Sequence, residues 1–428
     1  MIRRLLLNQL QKHLSSPEIT LIVGPRQAGK TTLMEKLRDD LAERGEKTLF
    51  LNLDFNADRP FFDSQEKLLQ RISYEMGKDK GYVFIDEIQR KEDAGLFLKG
   101  LYDMKLPYKF IVSGSGSIEL KEKIHESLPG RKKLFELTTL TFEEFVNYKH
   151  DSSSSSQFYP NFDDLRASAN AGFEFHIGML SSLLEEYLNF GGYPKVVLAK
   201  TYEEKQAAIA DIYQSFLEKD MLILLKLKKT ESLTALLRVL ASQIGNLVNL
   251  TELSNTLGIS VQTVKDYLWY LEKIYIISKV TPYFKNTRKE ITKSPIYYFA
   301  DLGLRNFAAN QFGHGALDTT GFLFENFVFN NLKGHLKLTP TSIHFWRTKD
   351  RAEVDFVLNT GREVIPIEVK YAKLKKPEIS RSFRSFLTRY KVPEAFIVNL
   401  SLIQEVIAQD AKVYFIPFFN TQIITKKM

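Results

Sequence analysis

Short apolar runs alternate with amphipathic runs between residues 17 and 145. The apolar runs have the length of buried strands, and the amphipathic runs repeat apolar residues every three or four positions, as helices do. We predict strands at 19–23, 48–53, 82–86, 109–113 and 133–138, and helices at 30–44, 64–75, 94–103 and 141–149. This alternation favours a three-layer α/β domain with a largely parallel sheet, whose ligand lies at the carboxyl edge of the strands.

The pattern changes after residue 150. Residues 151–176 include five consecutive serines, and such a low-complexity stretch predicts an insertion or loop. Residues 177–242 have helical periodicity, interrupted by the Gly- and Pro-containing segment 190–194. We therefore predict a helical lid in this part of the chain.

Residues 243–312 have the pattern of a winged helix. Two helices are predicted at 250–257 and 261–273, with a tight turn between them at 258–260. Two wing strands are predicted at 274–280 and 296–299. The second helix would turn its apolar side inward and its polar side toward a DNA groove. The inward residues are Val264 and Leu268, and the polar ones are Gln262, Thr263, Lys265 and Asp266. A module that only packs against its neighbours is an equally open interpretation.

A candidate phosphate-binding loop follows the first predicted strand. Residues 24–32 read GPRQAGKTT, which matches G-x-x-x-x-G-K-[ST] between a strand-like and a helical run. Glycines let backbone N–H groups approach phosphate oxygens, and the start of the next helix attracts the same charge. Lys30 would reach the β and γ phosphates, and Thr31 would ligate Mg²⁺. The residues expected to contact ATP are Gly24, Pro25, Arg26, Gln27, Ala28, Gly29, Lys30, Thr31 and Thr32.

Two acids end the third predicted strand, which reads YVFIDE at 82–87. In P-loop NTPases an Asp in this place holds Mg²⁺, so we assign Asp86 to the metal. Glu87 can polarise the attacking water as a general base. A solvated acidic turn is the alternative, and the phosphate loop upstream makes it less favourable.

Polar residues end the fourth predicted strand, and an arginine precedes the fifth. Ser113 or Ser115 can touch the γ-phosphate or the attacking water, although a simple Gly/Ser loop explains either serine equally well. Arg131 is a candidate for stabilising charge in the transition state, within the chain or across a subunit boundary. A solvated loop arginine is the competing interpretation.

Acidic residues interrupt apolar segments near the C-terminus. Glu325 lies in a helix-like run and Asp355 in a strand, and Glu368 and Lys370 share a face of the next strand because they are two positions apart. This order is that of a restriction-endonuclease-like core, in which Glu325, Asp355 and Glu368 would bind Mg²⁺ and Lys370 would stabilise charge or orient water. The alternative is a β-hairpin with outward-facing charges, but unpaired acids in apolar strands are costly.

Composition and charge narrow the function classes. The 428 residues are 44% hydrophobic and 26% charged, as in soluble globular proteins, and allow two to four domains. No apolar run reaches the roughly 20 residues that span a bilayer, and the absence of cysteine excludes disulfides and thiolate zinc sites. We expect a cytoplasmic protein without a membrane segment. Residues 315–428 carry 17 Lys or Arg against 11 Asp or Glu, which fits contact with DNA.

Together these motifs resemble a family of prokaryotic AAA-type P-loop ATPases with a C-terminal winged helix and a restriction-endonuclease-like region of the PD-(D/E)xK type. The resemblance covers nearly the whole chain. Its matching segments include GPRQAGKTT at 24–32, VFIDEIQ at 83–89, LPGR at 128–131, YLNFGGYP at 187–194, YFADLGLRN at 298–306, GFLFENFV at 321–328 and EVDFVL at 353–358. It implies nucleotide and Mg²⁺ roles for Lys30, Thr31, Asp86 and Glu87, and nuclease-like positions for Glu325, Asp355, Glu368 and Lys370. Val354 departs from the proline that often precedes the strand Asp.

We therefore predict an α/β chain of five regions: a P-loop ATPase core at 1–150, an insertion at 151–176, a helical lid at 177–242, a winged helix at 243–312 and a restriction-endonuclease-like domain at 313–428. The predicted function is ATP hydrolysis, with Mg²⁺, that controls a DNA-binding C-terminal half. Whether that half cleaves DNA stays open, as does assembly with a second copy or a partner protein. The alternative function is a slow signalling switch whose nuclease-like fold only binds.

Overall fold

The structure is a computed structural model that describes residues 2–115, 128–150, 158–168, 173–217, 231–284, 290, 293–312, 320–336 and 339–426. The serine run of the predicted insertion lies outside these residues. The chain divides into two compact units. One consists of Met1–Leu140, Ser215–Lys226 and Trp269–Ile276, and the other of Thr141–Gln214, Leu227–Leu268 and Ile277–Met428. Neither unit is one continuous stretch of chain.

The first unit contains a five-stranded sheet in the order β2-β3-β4-β1-β5, and all neighbouring strands are parallel. Its strands are β1 Ile19–Gly24, β2 Thr48–Asn52, β3 Gly81–Asp86, β4 Tyr108–Ser115 and β5 Lys132–Glu136. Its helices include α1 Leu6–His13, α2 Lys30–Glu43, α3 Gln65–Met76 and α4 Ala94–Asp103. The predicted parallel-sheet core is confirmed, with strand boundaries within about two residues of those predicted.

Helices cover both faces of this sheet because successive side chains of each strand point to opposite sides. In β1, Leu21 and Val23 pack in one cluster with Ile72 of α3 and Leu98 of α4. Ile22 packs on the other side in a cluster with Leu10, Met34 and Leu37 of α1 and α2. With every residue of β1 buried, the loop that follows the strand starts from a fixed position.

The second unit contains an eight-stranded mixed sheet in the order β12-β13-β11-β10-β9-β8-β6-β7. Its strands are β6 Ile277–Pro282, β7 Ile296–Phe299, β8 Ser342–Arg347, β9 Glu353–Asn359, β10 Val364–Val369, β11 Glu394–Asn399, β12 Gln404–Ala408 and β13 Ala411–Pro417. Helices that lie wholly or mostly in its described residues include α5 Phe142–Lys149, α6 Phe162–Ala167, α7 Phe173–Phe190, α8 Pro194–Leu198, α9 Tyr202–Ser215, α10 Glu231–Ser242, α11 Leu250–Leu257, α12 Val261–Lys273, α13 Leu302–Ala309, α14 Thr320–Leu336, α15 Arg381–Tyr390 and α16 Gln422–Lys426. Residues 261–268 of α12 belong to the second unit and residues 269–273 to the first.

The two strands predicted as a wing belong to this larger sheet. β6 pairs antiparallel with β7, as a wing hairpin would, and its end also pairs parallel with β8. The expected boundary between residues 312 and 313 therefore separates segments that share one sheet. The described fold is a mixed α/β chain with a parallel-sheet core and a second sheet, whereas the winged helix and the nuclease-like fold stay predictions.

Two segments of the second unit lock the end of α7 to the start of α13. The Asp301 carboxylate accepts hydrogen bonds from the N–H groups of Gly192 (2.8 Å) and Leu304 (3.1 Å). Asn306 donates through its side chain to the carbonyls of Leu188 and Asn189, both at 2.9 Å. These contacts give a structural role to the GGYP and ADLGLRN segments, for which the sequence suggests no chemistry.

No helix in the described part of the chain combines the length and the apolar character that a membrane crossing requires.

Candidate nucleotide site and carboxylate cluster

The phosphate-loop sequence joins β1 directly to α2. Gly24 ends the strand, and a side chain there would meet the Leu137 carbonyl oxygen at 2.0 Å, so the close approach of two backbones requires glycine. Gly29 immediately precedes α2 with φ +93°, in the left-handed region that glycine adopts without strain. Lys30 is the first helical residue. The amino end of a 14-residue helix therefore opens at the predicted site.

Lys30 is 6% exposed, and its ammonium donates to two carbonyls of its own loop, those of Gly24 (3.1 Å) and Pro25 (2.9 Å). Arg4, which the sequence reasoning missed, holds the loop from the other side. Its guanidinium donates to the Ala28 carbonyl at 2.7 Å and to the Thr138 carbonyl at 2.7 Å. No local pattern marks Arg4, because its partners are distant in sequence.

A hydrogen-bond network surrounds Asp86 at the carboxyl edge of the sheet. Thr31 Oγ1 donates to Asp86 Oδ2 at 2.6 Å, and Asn52 Nδ2 approaches the same oxygen at 3.5 Å. The Ser113 hydroxyl and the Glu87 N–H (3.1 Å) donate to Asp86 Oδ1. Thr31, Asp86 and Ser113 thus share one hydrogen-bond network, in which Ser113 is fully buried and turned toward the carboxylate.

Glu87 follows Asp86 with φ +57°, a left-handed conformation that is uncommon for glutamate. Burial raises the pKa of its carboxyl group, although a hydrogen bond from the Gln89 side chain acts in the opposite direction. Gln89 was not singled out from the sequence. A raised pKa suits a group that must accept a proton near neutral pH.

The other residues predicted for the nucleotide site differ in position. Arg26 is partly exposed, and Gln27 and Thr32 are exposed. Arg131 lies at the amino ends of the strands, opposite the carboxyl edge where Asp86 lies. Its carbonyl accepts from Ile19 N–H at 2.9 Å, at the start of β1, and its guanidinium pairs with Asp103 at 2.8 Å. The length of β1, about 17 Å at 3.3 Å per residue, separates it from the loop, so it does not serve the site of its own chain.

The candidate nuclease residues are brought together on neighbouring elements of the second unit. β9 and β10 are antiparallel, and the register that pairs Phe356 with Ile367 sets Asp355 opposite Glu368. Asp355 Oδ2 accepts from the Val369 N–H at 2.7 Å. Burial raises the pKa of Asp355 to about 7 in spite of this hydrogen bond, and the Glu368 charge adds to the effect.

Glu325 of α14 reaches the same region. Burial of its carboxyl group raises the pKa of Glu325 well above its ordinary value, and the Asp355 charge contributes. The hydroxyl of Tyr298, a fully buried residue of β7, donates to Glu325 Oε1. The sequence reasoning missed Tyr298, because neither its spacing nor its neighbours mark it.

Glu368 and Lys370 form an ion pair at 2.5 Å. Glu368 is 4% exposed and also accepts from Ser380 Oγ at 2.9 Å. Burial alone would lower the pKa of Lys370, but its hydrogen bond and charge interaction with Glu368 raise it overall. The alternative of outward-facing, unpaired charges does not describe Glu368.

Each acid of this carboxylate cluster, Glu325, Asp355 and Glu368, therefore already has a hydrogen-bond donor. Among the residues that the structure describes, no group of three His, Asp or Glu side chains has an arrangement that could hold a metal ion. The cluster in this geometry does not fit a magnesium site with three carboxylate ligands.

The predicted helix-turn-helix residues form two helices around a turn. α11 ends at Gly258, whose φ of +64° is left-handed, and α12 begins three residues later. Val264 and Leu268 are buried, and the polar Gln262, Lys265 and Asp266 are exposed, as the pattern predicts. Gln262 Nε2 donates to Asp266 Oδ1 at 2.8 Å, so two of the residues expected to face DNA bind each other.

Three family models match successive parts of the chain. An AAA domain model matches residues 16–146, and two domains of unknown function, DUF8612 and DUF4143, match residues 181–314 and 320–419. Residues 16–146 are thus an AAA-type P-loop domain, which confirms that part of the prediction. The models of the C-terminal half do not assign a winged helix, a nuclease or a ligand.

Similar proteins occur in bacteria and archaea, and their names assign no function. An uncharacterised protein of Mycobacterium tuberculosis is 28% identical over 91% of this chain and 78% of its own length. Another, from Haemophilus influenzae, is 26% identical over 85% of each chain, and one from Methanocaldococcus jannaschii is 22% identical over 90% and 82%. The nucleotide-bound structure of DnaA from Aquifex aeolicus covers 63% of this chain and 86% of its own at 12% identity, with a TM-score of 0.27 that is too low to support an assignment.

Proposed function

We propose that this protein is an ATPase whose hydrolytic site consists of the loop 24–32, Asp86 and Glu87. The observation that carries the proposal is the Thr31–Asp86 contact of 2.6 Å at the amino end of α2. It joins the last part of a phosphate-loop sequence to the acid of a neighbouring strand, within a domain of the AAA type.

The residues present fit a magnesium ion at this site. Thr31 and Asp86 offer a hydroxyl and a carboxylate oxygen, the hard donors that Mg²⁺ prefers, and few protein ligands suffice because the ion keeps water and phosphate oxygens. When bound, the ion would neutralise charge that develops on the phosphates. Lys30 would exchange its loop carbonyls for phosphate oxygens.

Glu87 would act as the general base. Its carboxylate accepts a proton from water while the water oxygen forms a bond to the γ-phosphorus, and the bond to the bridging oxygen breaks to give ADP and phosphate. Gln89, which donates to the same carboxylate, orients Glu87. Arg131 would act only at the site of a second copy, because it lies at the opposite end of the strands in its own sheet.

Two substitutions test the ATPase proposal. Lys30→Ala should abolish both nucleotide binding and hydrolysis, whereas Glu87→Gln should keep binding and lower kcat by at least about a hundredfold, since it removes the base alone. Lys36→Ala is the control, because Lys36 lies on the same helix but pairs with Asp40 at 2.7 Å. If Lys30→Ala hydrolyses ATP as fast as the wild type, the proposal is wrong.

We propose further that the C-terminal half binds DNA and that the nucleotide controls this binding. The excess of Lys and Arg in residues 315–428 supports DNA as the partner. The carboxylate cluster does not support cleavage, because its acids are engaged by Tyr298, Val369 and Ser380. Without measurable DNA binding, the signalling switch becomes the better account.

Cleavage is tested with labelled linear, supercoiled and single-stranded DNA, with Mg²⁺ or Mn²⁺, with and without ATP. We expect intact DNA in every condition, in the wild type and in Asp355→Ala alike. Cleavage that appears in the wild type and disappears in Asp355→Ala would assign nuclease activity to the cluster and contradict a role limited to binding. The ATPase proposal does not depend on this result.

A further inference from the structure

The net positive charge of the chain is concentrated in one short stretch. Residues 370–391 carry eight Lys or Arg and one acid, Glu378, so +7 of the net charge of +8 lies in this basic segment. Among the residues that the structure describes, only Lys370 and Lys376 of the segment have a carboxylate within ion-pair distance. Such an excess creates a field that attracts a polyanion.

The helix within the basic segment turns its arginines away from the core. At about 3.6 residues per turn, Arg381, Arg384 and Arg389 fall on one side of α15. The opposite side holds Phe383, Phe386 and Leu387, which are fully buried. A basic amphipathic helix can bind a membrane only through a free apolar side. Since the core occupies that side, the arginine side is left for a ligand that is recognised by charge.

The basic segment is joined to the carboxylate cluster at two points. Its first residue, Lys370, pairs with Glu368. Ser380, the N-cap of α15, accepts from Phe383 N–H at 3.1 Å and donates to Glu368 at 2.9 Å. A phosphate backbone that follows α15 would therefore run beside the cluster.

The predicted DNA-reading helix has no comparable charge. α12 carries Lys265 and Lys273 against Asp266 and Glu272, which cancel. Its position in a helix-turn-helix order is not accompanied by the electrostatic attraction that accounts for most non-specific DNA affinity.

We propose that the basic segment, and not α12, is the nucleic-acid-binding surface, and that it binds the phosphate backbone without reading base sequence. This inference deepens the proposed DNA binding and rests on it. The contacts would come from arginines and lysines that point to solvent, which position a nucleic acid but carry no sequence information.

Two charge-matched double variants of the full chain test the surface. Arg381→Gln/Arg384→Gln changes the basic segment, and Lys265→Gln/Lys273→Gln removes the same charge from α12. Binding is measured by fluorescence anisotropy with two duplexes of unrelated sequence at several KCl concentrations. The first variant should bind both duplexes about tenfold or more weakly. The negative slope of log K against log salt should become shallower by about 2. The second variant should bind like the wild type.

Other outcomes separate this inference from the function on which it rests. If the α12 variant loses affinity and the α15 variant does not, the surface is wrong but DNA binding stands. If the wild type binds neither duplex at low salt, both proposals fail, and ATP hydrolysis measured in the same samples remains a separate result. A loss confined to one duplex would contradict recognition of the backbone. An unchanged midpoint of urea unfolding in each variant verifies folding.

Discussion

Single buried charges hold the nucleotide site in place at the residue scale. Arg4 is 7% exposed and ties the phosphate loop to the connection after β5. Lys109 of β4 is also 7% exposed, and its ammonium donates to the carbonyls of Ser16 (2.8 Å) and Glu18. Arg4 uses carbonyls that follow β1 and β5, and Lys109 uses carbonyls that precede β1, so the two cations fix both ends of the strand that leads into the loop.

The burial of Lys109 predicts a pH dependence of stability. Desolvation lowers the pKa of Lys109 from 10.5 to about 8. Between these values the unfolded chain binds a proton that the folded chain does not, so the free energy of unfolding should rise with pH by up to about 1.4 kcal/mol per unit. Below pH 8 both states are protonated and the contribution is constant.

Urea unfolding of the wild type and Lys109→Met between pH 7 and 10.5 measures this contribution. The difference between the two proteins should be flat below pH 8 and should grow in favour of the wild type above it. Parallel curves over the whole range would mean that Lys109 keeps its proton in the folded protein.

At the element scale, one glycine determines the path of the chain directly after α7. Gly191 has φ +73°, and a side chain there would meet Asp301 Oδ1 at 2.2 Å. Gly191→Ala should therefore destabilise the second unit for two reasons. Alanine is unfavourable in the left-handed backbone conformation, and its side chain would displace Asp301 from the N–H of Gly192. We expect a loss of about 3 kcal/mol or more in urea unfolding.

Gly361→Ala is the matched control for this change. Gly361 has φ +83°, but a side chain there would meet nothing within 4 Å. Its substitution should lower the free energy of unfolding only by the cost of a left-handed alanine backbone, about 1 to 2 kcal/mol. Equal losses in the two variants would show that the Asp301 contact contributes nothing.

Local pattern predicts elements better than it predicts their partners. The apolar runs of the first unit locate its five strands, and the phosphate-loop motif locates the turn between β1 and α2. The partners of Asp86 follow from parallel strands that end at one edge. Arg131 could have been located in the same way, since a residue before β5 lies at the opposite edge. Tyr298 could not, because its contact with Glu325 joins distant elements whose order in the sheet the sequence leaves open.

At the scale of the whole molecule, each unit is assembled from separate stretches of chain. A single cut would not release either unit intact, so ATP and DNA binding are best measured on the full chain. The chemistry is nevertheless divided: the loop 24–32 lies in the first unit, and the basic segment 370–391 lies in the second. Control of one by the other is therefore an energetic coupling between two distinct sites.

Such coupling must be reciprocal. If a non-hydrolysable ATP analogue changes the Kd for a DNA duplex by some factor, saturating duplex must change the Kd for the analogue by the same factor, because the four binding states form a closed cycle. We expect a factor of about 5 to 150, the usual range for coupled sites. Glu87→Gln, used with ATP itself, should reproduce the analogue, because it binds without turnover. If neither ligand changes the Kd for the other, nucleotide control is contradicted. The chain would then carry an ATPase site and a DNA-binding surface with no coupling free energy between them.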